Sequence, residues 1–297
     1  METAKLSHHH GKESRWKQGK PWRDAFIMAL PALILLLLIY YYPLSQFLPK
    51  SIINDDGKLT FEFFARVFSD KLYFDTIIRT VKLSFYATVI NIVLGYIVAY
   101  TLTLVKPKTS GIIMAIIMIS FWTSLLVRTY SWMVILQKNG IVNDVLLWLG
   151  FIQEPNTLLY TEGAVLVGMS NILLPYAILP IYSVLRGIDP NLDLAAMSMG
   201  ATRLQAFRKV TLPLSLPGIA SGVMLVFIQS LGFYITPMLL GGAQTQMITG
   251  LIDNQIYRFL NWNFGAALGM VLLIITVIFL VGFDKLFGID KLNQGMA

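Results

Sequence analysis

Long apolar runs alternate along this 297-residue chain with shorter segments that carry charge, proline and glycine. Six runs, at roughly 25–43, 76–104, 111–136, 163–185, 216–238 and 263–283, lie near or above the ~20 residues a helix needs to cross a ~30 Å hydrocarbon core. The first, AFIMALPALILLLLIYYYP, follows Trp16 and Trp22 and ends in Tyr40 to Tyr42, aromatic residues suited to the two membrane interfaces. The third continues into SWMVILQKNG, so its upper end lies between Arg128 and Gln137. Pro175 and Pro180 in the fourth run and Pro237 at the end of the fifth predict kinked or broken helices, which are tolerated where the backbone lines a cavity.

Shorter helical patterns fill the connections. Phe61, Phe64, Phe68 and Leu72 recur at i, i+3, i+7 and i+11, which predicts an amphipathic helix over 60–73 with the aromatics on its buried side. Two more short helices are expected within 137–162, on IVNDVLLWLG, and within 240–262. The stretch 189–215 reads as two helices joined by a sharp turn. Asp189 suits an N-cap and Pro190 the first helical position, where its missing N–H costs nothing. Leu192, Ala195, Ala196 and Met199 then share one face, and Gly200 follows as a residue able to take φ > 0. Thr202 with Gln205 forms a capping box for the second helix, which carries Leu204 and Phe207 on one side and Arg203, Arg208 and Lys209 on others. Pro213 and Pro217 end it.

Composition agrees with a membrane protein. The chain is 56% hydrophobic and 13% charged, with a mean hydropathy of +0.67. A water-soluble domain has too little interior to hide that much apolar surface. The first 24 residues are polar and basic and the run behind them is long enough to span, so no cleavable signal peptide is expected. The expected class is all-α and polytopic, with residues 1–24 before a six-span domain at 25–283 and a tail at 284–297. The side carrying residues 1–24, 105–110, 186–215 and 284–297 holds 14 of the 23 cations, and the whole formal charge of +7 falls there. By the positive-inside rule that side is cytoplasmic, with both termini inside. Topology thus accounts for the basic balance, and no nucleic-acid partner is called for.

The candidate chemistry is sparse. No Asp or Glu falls within the six runs, and the three histidines, His8 to His10, sit in the polar N-terminal segment. Ion-driven carriers usually need an intramembrane carboxylate or His to take up and release the ion, so an energy source outside the membrane is favoured. There is no cysteine, no metal-ligand spacing, no phosphate-binding Gly-rich loop and no nucleophile–base constellation. That argues against an intramembrane enzyme. Arg128 is a charge within a run and away from its cytoplasmic end; it is either a pathway residue or, if the third span ends early, an anchor at the outer interface. Arg79 and Lys82, in the first turns of the second run, are expected to snorkel. Tyr130, Trp132, Asn171, Tyr176, Gln229, Tyr234 and Thr236 either line a solute path or pack the bundle.

On residues 189–215 alone, two readings stand: a docking surface for another protein, or a hairpin resting on lipid headgroups. A resemblance separates them. The run A-A-x-x-x-G-A-x-x-x-x-x-F-x-x-x-x-L-P-x-x-x-P, here Ala195, Ala196, Gly200, Ala201, Phe207, Leu212, Pro213 and Pro217, resembles the EAA loop of permease subunits of binding-protein-dependent ABC importers. FWTSLLVRTYSWMVILQKNGIVNDVL (121–146) and LGFYITPMLLGG (231–242) are similar to permeases of the spermidine/putrescine type, though related branches that import opines or other small nitrogenous solutes fit nearly as well.

The resemblance implies a type I importer permease whose loop 186–215 presents a coupling helix to a separate ATPase, with contacts from Asp193, Leu194, Ala195, Ala196, Met199, Gly200, Ala201 and Phe207. It also implies a second homologous permease, two ATP-binding subunits that carry the ATP and Mg, and a soluble solute-binding protein outside the membrane. The family's leading Glu falls on Leu194, with Asp193 one position early. Either Asp193 makes that contact, rotated about 100° around the helix, or another subunit supplies it.

Overall fold

The computed structural model describes residues 21–54 and 57–288; His8 to His10, nearly all of the segment 1–24 and most of the tail 284–297 lie outside the described residues. The chain divides into two compact units, Met1–Pro49 and Lys50–Ala297. In the first, helix α1 (Pro21–Leu36) runs on through a π-helical turn, Leu37–Tyr41, into Tyr42–Phe47.

Among its described residues the second unit is built of helices and their connections, with one isolated antiparallel bridge between Ile53 and Leu59. In chain order its helices are α2 (Glu62–Ser69), α3 (Lys71–Leu104), α4 (Pro107–Trp122), α5 (Leu125–Leu136), α6 (Ile141–Trp148) and α7 (Glu162–Gly187). After these come α8 (Asn191–Ser198), α9 (Arg203–Ala206, continued through Phe207–Thr211 and Leu212–Leu214), α10 (Leu216–Leu231), α11 (Ile248–Asp253) and α12 (Trp262–Phe287). Among the described residues four helices are long and apolar enough to span: Met28–Ser51, α3, α7 and α12. Two bent pairs bring the number to six, α4 with Leu125–Trp148 and Arg203–Leu214 with α10.

The third span is therefore not the straight helix expected over 111–136. It breaks after Trp122 and turns through 95°. Thr123 and Ser124 are extended at the break, and the Thr123 hydroxyl donates to Ile119 O (3.1 Å), which satisfies one carbonyl the break would strand. The fifth span also stops short of its expected end. α10 closes at Leu231, and Pro237 opens a separate π-helical turn, Pro237–Gly241, since proline has no N–H to continue a ladder. Conversely, α7 runs unbroken through Pro175 and Pro180.

The α7 helix forms the centre of the bundle, packed between α3 and α10. Leu83, Ala87 and Ala99 from α3 meet Met169, Leu173, Ala177, Ile178 and Ile181 from α7 and Val226 from α10, all essentially inaccessible. Small residues permit this approach. A Cβ on Gly95 would lie 2.8 Å from Ala177 Cβ, and one on Gly222 would lie 3.6 Å from Ala177 Cα. Between helices that share a lipid solvent there is no hydrophobic gain from association, so close van der Waals packing of this kind supplies the cohesion.

A second cluster joins α2, the start of α3, α11 and α12 around the fully buried Phe264, with Tyr73 edge-on at 4.8 Å and the Arg66 guanidinium 4.8 Å over its ring. Here the expected register of the amphipathic helix is corrected. Phe61 and Phe68 are exposed, while Val67 is fully buried and Phe63 and Phe64 pack beside it. α2 begins only at Glu62, so Phe61 precedes the helix, and the face turned to Phe264 is 63–64–67. Arg79 and Lys82 are likewise not merely snorkelling. Both face Glu162 at the start of α7, Lys82 Nζ at 2.8 Å and Arg79 Nε at 4.0 Å.

Candidate functional site

The segment between α7 and α10 folds as the caps dictate. Asp189 Oδ1 accepts from Asn191 N–H (2.9 Å), so the cap acts as expected, although the helix proper starts one residue after Pro190. At the other end Gly200 has φ +93°, its N–H donates to Met197 O (2.9 Å), and Ala201 N–H reaches back to Ala196 O (3.1 Å). This pair of bonds is a Schellman closure, which requires a left-handed residue at the glycine. Thr202 and Gln205 then cap α9 reciprocally, at 3.3 and 2.8 Å. α9 and its continuation meet α10 at 59°.

The expected contact residues fall on two sides of this hairpin. Leu192, Leu194, Ala195, Met199 and Gly200 are exposed, Met199 by 90%, and Ala196 and Ala201 are half-buried. Asp193 and Phe207 are half-buried and make contacts within the chain. Both Asp193 carboxylate oxygens accept from the Thr211 hydroxyl, at 2.9 and 2.8 Å. Phe207 sits edge-on to Tyr96 and Tyr100 of α3, at 6.0 and 5.1 Å. The reason is geometric. Helix α8 packs against the Phe207–Thr211 turn, so the residues facing that turn cannot also face outward. Tyr96 OH and Ser215 Oγ, 3.1 Å apart, complete the attachment of the hairpin to α3. The sequence reading did not single out Tyr96, Tyr100, Thr211 or Ser215, because nothing local marks a contact made so far along the chain.

The eight candidate pathway residues lie on α5, α7 and α10 and in the segment that follows α10. Arg128 lies in the first turns of α5, just past the break, with Nε and Nη1 buried and without a hydrogen-bond partner. Tyr176 of α7 packs edge-on to Phe121 at 5.3 Å. Thr236 is fully buried with its hydroxyl 3.2 Å from that of Thr129, and Trp132 packs on the α7 cluster. Tyr130 and Gln229 are exposed, and Asn171 and Tyr234 are half-buried. Among the described residues no group of His, Cys, Asp and Glu is arranged to hold a metal ion.

Residues 91–284, from the middle of α3 to near the end of α12, match the model of the family described as binding-protein-dependent transport system inner membrane component. The chain belongs to this family. Its relatives include the spermidine/putrescine transport system permease protein PotB of Salmonella typhimurium (strain SL1344), 32% identical over 260 residues, covering 84% of this chain and 90% of that one. PotB of Escherichia coli (strain K12) is 34% identical over 212 residues, covering 71% and 77%. In fold the chain matches a bacterial ABC transporter that imports the acidic polysaccharide alginate, with a TM-score of 0.74 at 18% identity over 91% of this chain and 98% of that one. The architecture is that of a type I ABC importer permease, a multi-pass inner-membrane subunit. The family match takes in the whole 189–215 hairpin and the broken third span.

Proposed function

We propose that this chain is one of two permease subunits enclosing the pathway of an ATP-driven polyamine importer, and that α8 is the helix through which a separate ATPase drives it. The observation that carries this is the apolar face of Leu192, Ala195 and Met199, exposed and stopped sharply by a left-handed glycine at Gly200. A connector between two spans needs neither that exposure nor a Schellman closure. In this reading both termini and the hairpin are cytoplasmic, and a solute-binding protein docks at the opposite side. ATP and Mg bind the ATPase pair; its closure moves α8, and the pathway turns from inward- to outward-facing. This subunit does no covalent chemistry. Polyamine as the solute follows from the kinship to the PotB permeases. Aromatic faces can pass a polycation by cation–π contact without the strong binding that a carboxylate would impose.

The test is uptake of radiolabelled spermidine and putrescine by cells expressing the chain with its partner subunits. Uptake should stop on ATP depletion and persist when the proton gradient is dissipated. Uptake that follows the gradient instead would overturn the ATP-driven reading. ATP-dependent uptake of amino acids or opines, with polyamines ignored, would overturn only the substrate.

A further inference from the structure

The hairpin contains an acid where the EAA pattern has none, and lacks one where the pattern has it. Asp193 precedes the family's Glu position by one residue, and Leu194 at that position is exposed. The Asp193 carboxylate is committed within the chain, since the Thr211 hydroxyl lies 2.9 and 2.8 Å from its two oxygens. Thr211 is 5% exposed and is the last residue of the turn that leads through Leu212–Leu214 into α10. One side of this contact is a cavity of about 330 Å³ lined by the cytoplasmic ends of α3, α4 and α7, including Ser110, Tyr182 and Arg186. On that side α8 is not held by close packing, so a hydrogen bond there restrains a helix that otherwise has room to move.

We infer that Asp193 and Thr211 form an internal latch: the carboxylate does not dock on the ATPase but ties the coupling helix to the foot of span five, so that displacement of α8 reaches α10 as one rigid motion. The inference rests on the coupling reading of the hairpin. Hydrogen bonds to an ionised acceptor are short and roughly twice as strong as neutral ones, and motion passes between elements only through contacts that survive it. Phe207 on Tyr96 and Tyr100, with Tyr96 bonded to Ser215, gives the hairpin its pivot on α3. The acid displaced to 193 and the threonine at 211 are therefore one device, and Asp193 is a positioning residue for transport.

The experiment uses the full transporter, with the permease expressed beside its natural partner subunits, purified and reconstituted in liposomes. Asp193→Ala, Thr211→Val, the double variant and Thr211→Ser are compared per assembled complex. The readouts are ATPase co-purification and the ratio of ATP hydrolysed to solute delivered. Each of the first two variants should co-purify the ATPase at the wild-type level yet deliver roughly tenfold less solute per ATP, the scale of one lost charge-assisted hydrogen bond. The double variant should be no worse than either single one, and Thr211→Ser should behave as wild type. Loss of the ATPase in Asp193→Ala alone, with Thr211→Val transporting normally, would make Asp193 a docking group and overturn the latch. A wild-type ratio in both would reduce the contact to packing and overturn it equally. Gly200→Val is carried in the same assay: if it leaves ATPase association untouched, the coupling reading itself is what fails.

Discussion

Replacing Gly200 with valine puts a Cβ on a residue held at φ +93°. No heavy atom beyond the adjacent residues lies within 4 Å of where that Cβ would stand, so the Cβ meets no neighbour and the main cost is that of the backbone. For a residue with a Cβ in the left-handed region that cost is about 1–2 kcal/mol, with a β-branched side chain at the upper end. Two hydrogen bonds hold the turn closed, Gly200 N–H to Met197 O and Ala201 N–H to Ala196 O, and each contributes about 0.5–1.5 kcal/mol net. The penalty is thus comparable with what closes the turn, and the closed form should fall by a factor of roughly 5–30 relative to open forms. Insertion in the membrane depends on the six spans and should be unaffected. The assay is pull-down of the ATPase with membrane-extracted permease, and a several-fold loss is expected. Gly200→Asn should lose less, because asparagine visits the left-handed region more readily. Gly150, at φ +73° and equally without neighbours, is the control: Gly150→Val carries a similar backbone cost beyond the end of α6 and should leave association intact. Wild-type association and uptake in Gly200→Val would refute the reasoning, as would equal losses in the two variants.

Gly95→Ala should lower the melting temperature in detergent by the equivalent of about 1–3 kcal/mol of overpacking, since its Cβ would meet Ala177 Cβ at 2.8 Å, and Ala177→Gly in the same chain should recover most of it. An unchanged melting temperature in the single variant would mean that α3 and α7 do not approach so closely. Val67→Ala should cost about 1–3 kcal/mol and Phe68→Ala much less, because Val67 is fully buried and Phe68 is 58% exposed; the reverse order would restore the aromatic-face register. The chain has no cysteine, so single cysteines report topology cleanly. An impermeant maleimide added to intact cells should label Glu62→Cys at once and Arg203→Cys only after permeabilisation, and the opposite pattern would invert the orientation.

Features governed by near neighbours were legible in the sequence. A residue's hydropathy and that of the next twenty determine whether a stretch belongs in lipid, and six spans follow from that alone. The positive φ at Gly200 and the Thr202–Gln205 box were equally legible, because each is closed by backbone groups a few residues away. Even the break at Thr123 is made of local bonds, yet the sequence did not announce it, since two hydroxyl residues in an apolar run are as compatible with a continuous helix. What only the tertiary structure decided is direction. The face α2 buries is chosen by Phe264 on α12, and Lys82 is paired by a Glu162 that follows three intervening helices. Thr236 faces Thr129, and Asp193 turns to Thr211. In a bundle whose helices are apolar on nearly every side, periodicity leaves rotation about the axis undetermined, because lipid accepts any apolar face. Rotation is then set by the few places where small residues let helices approach, as at Gly95 and Ala177, and by polar side chains that must find partners across the bundle, which lie too far along the chain for any sequence window to contain both.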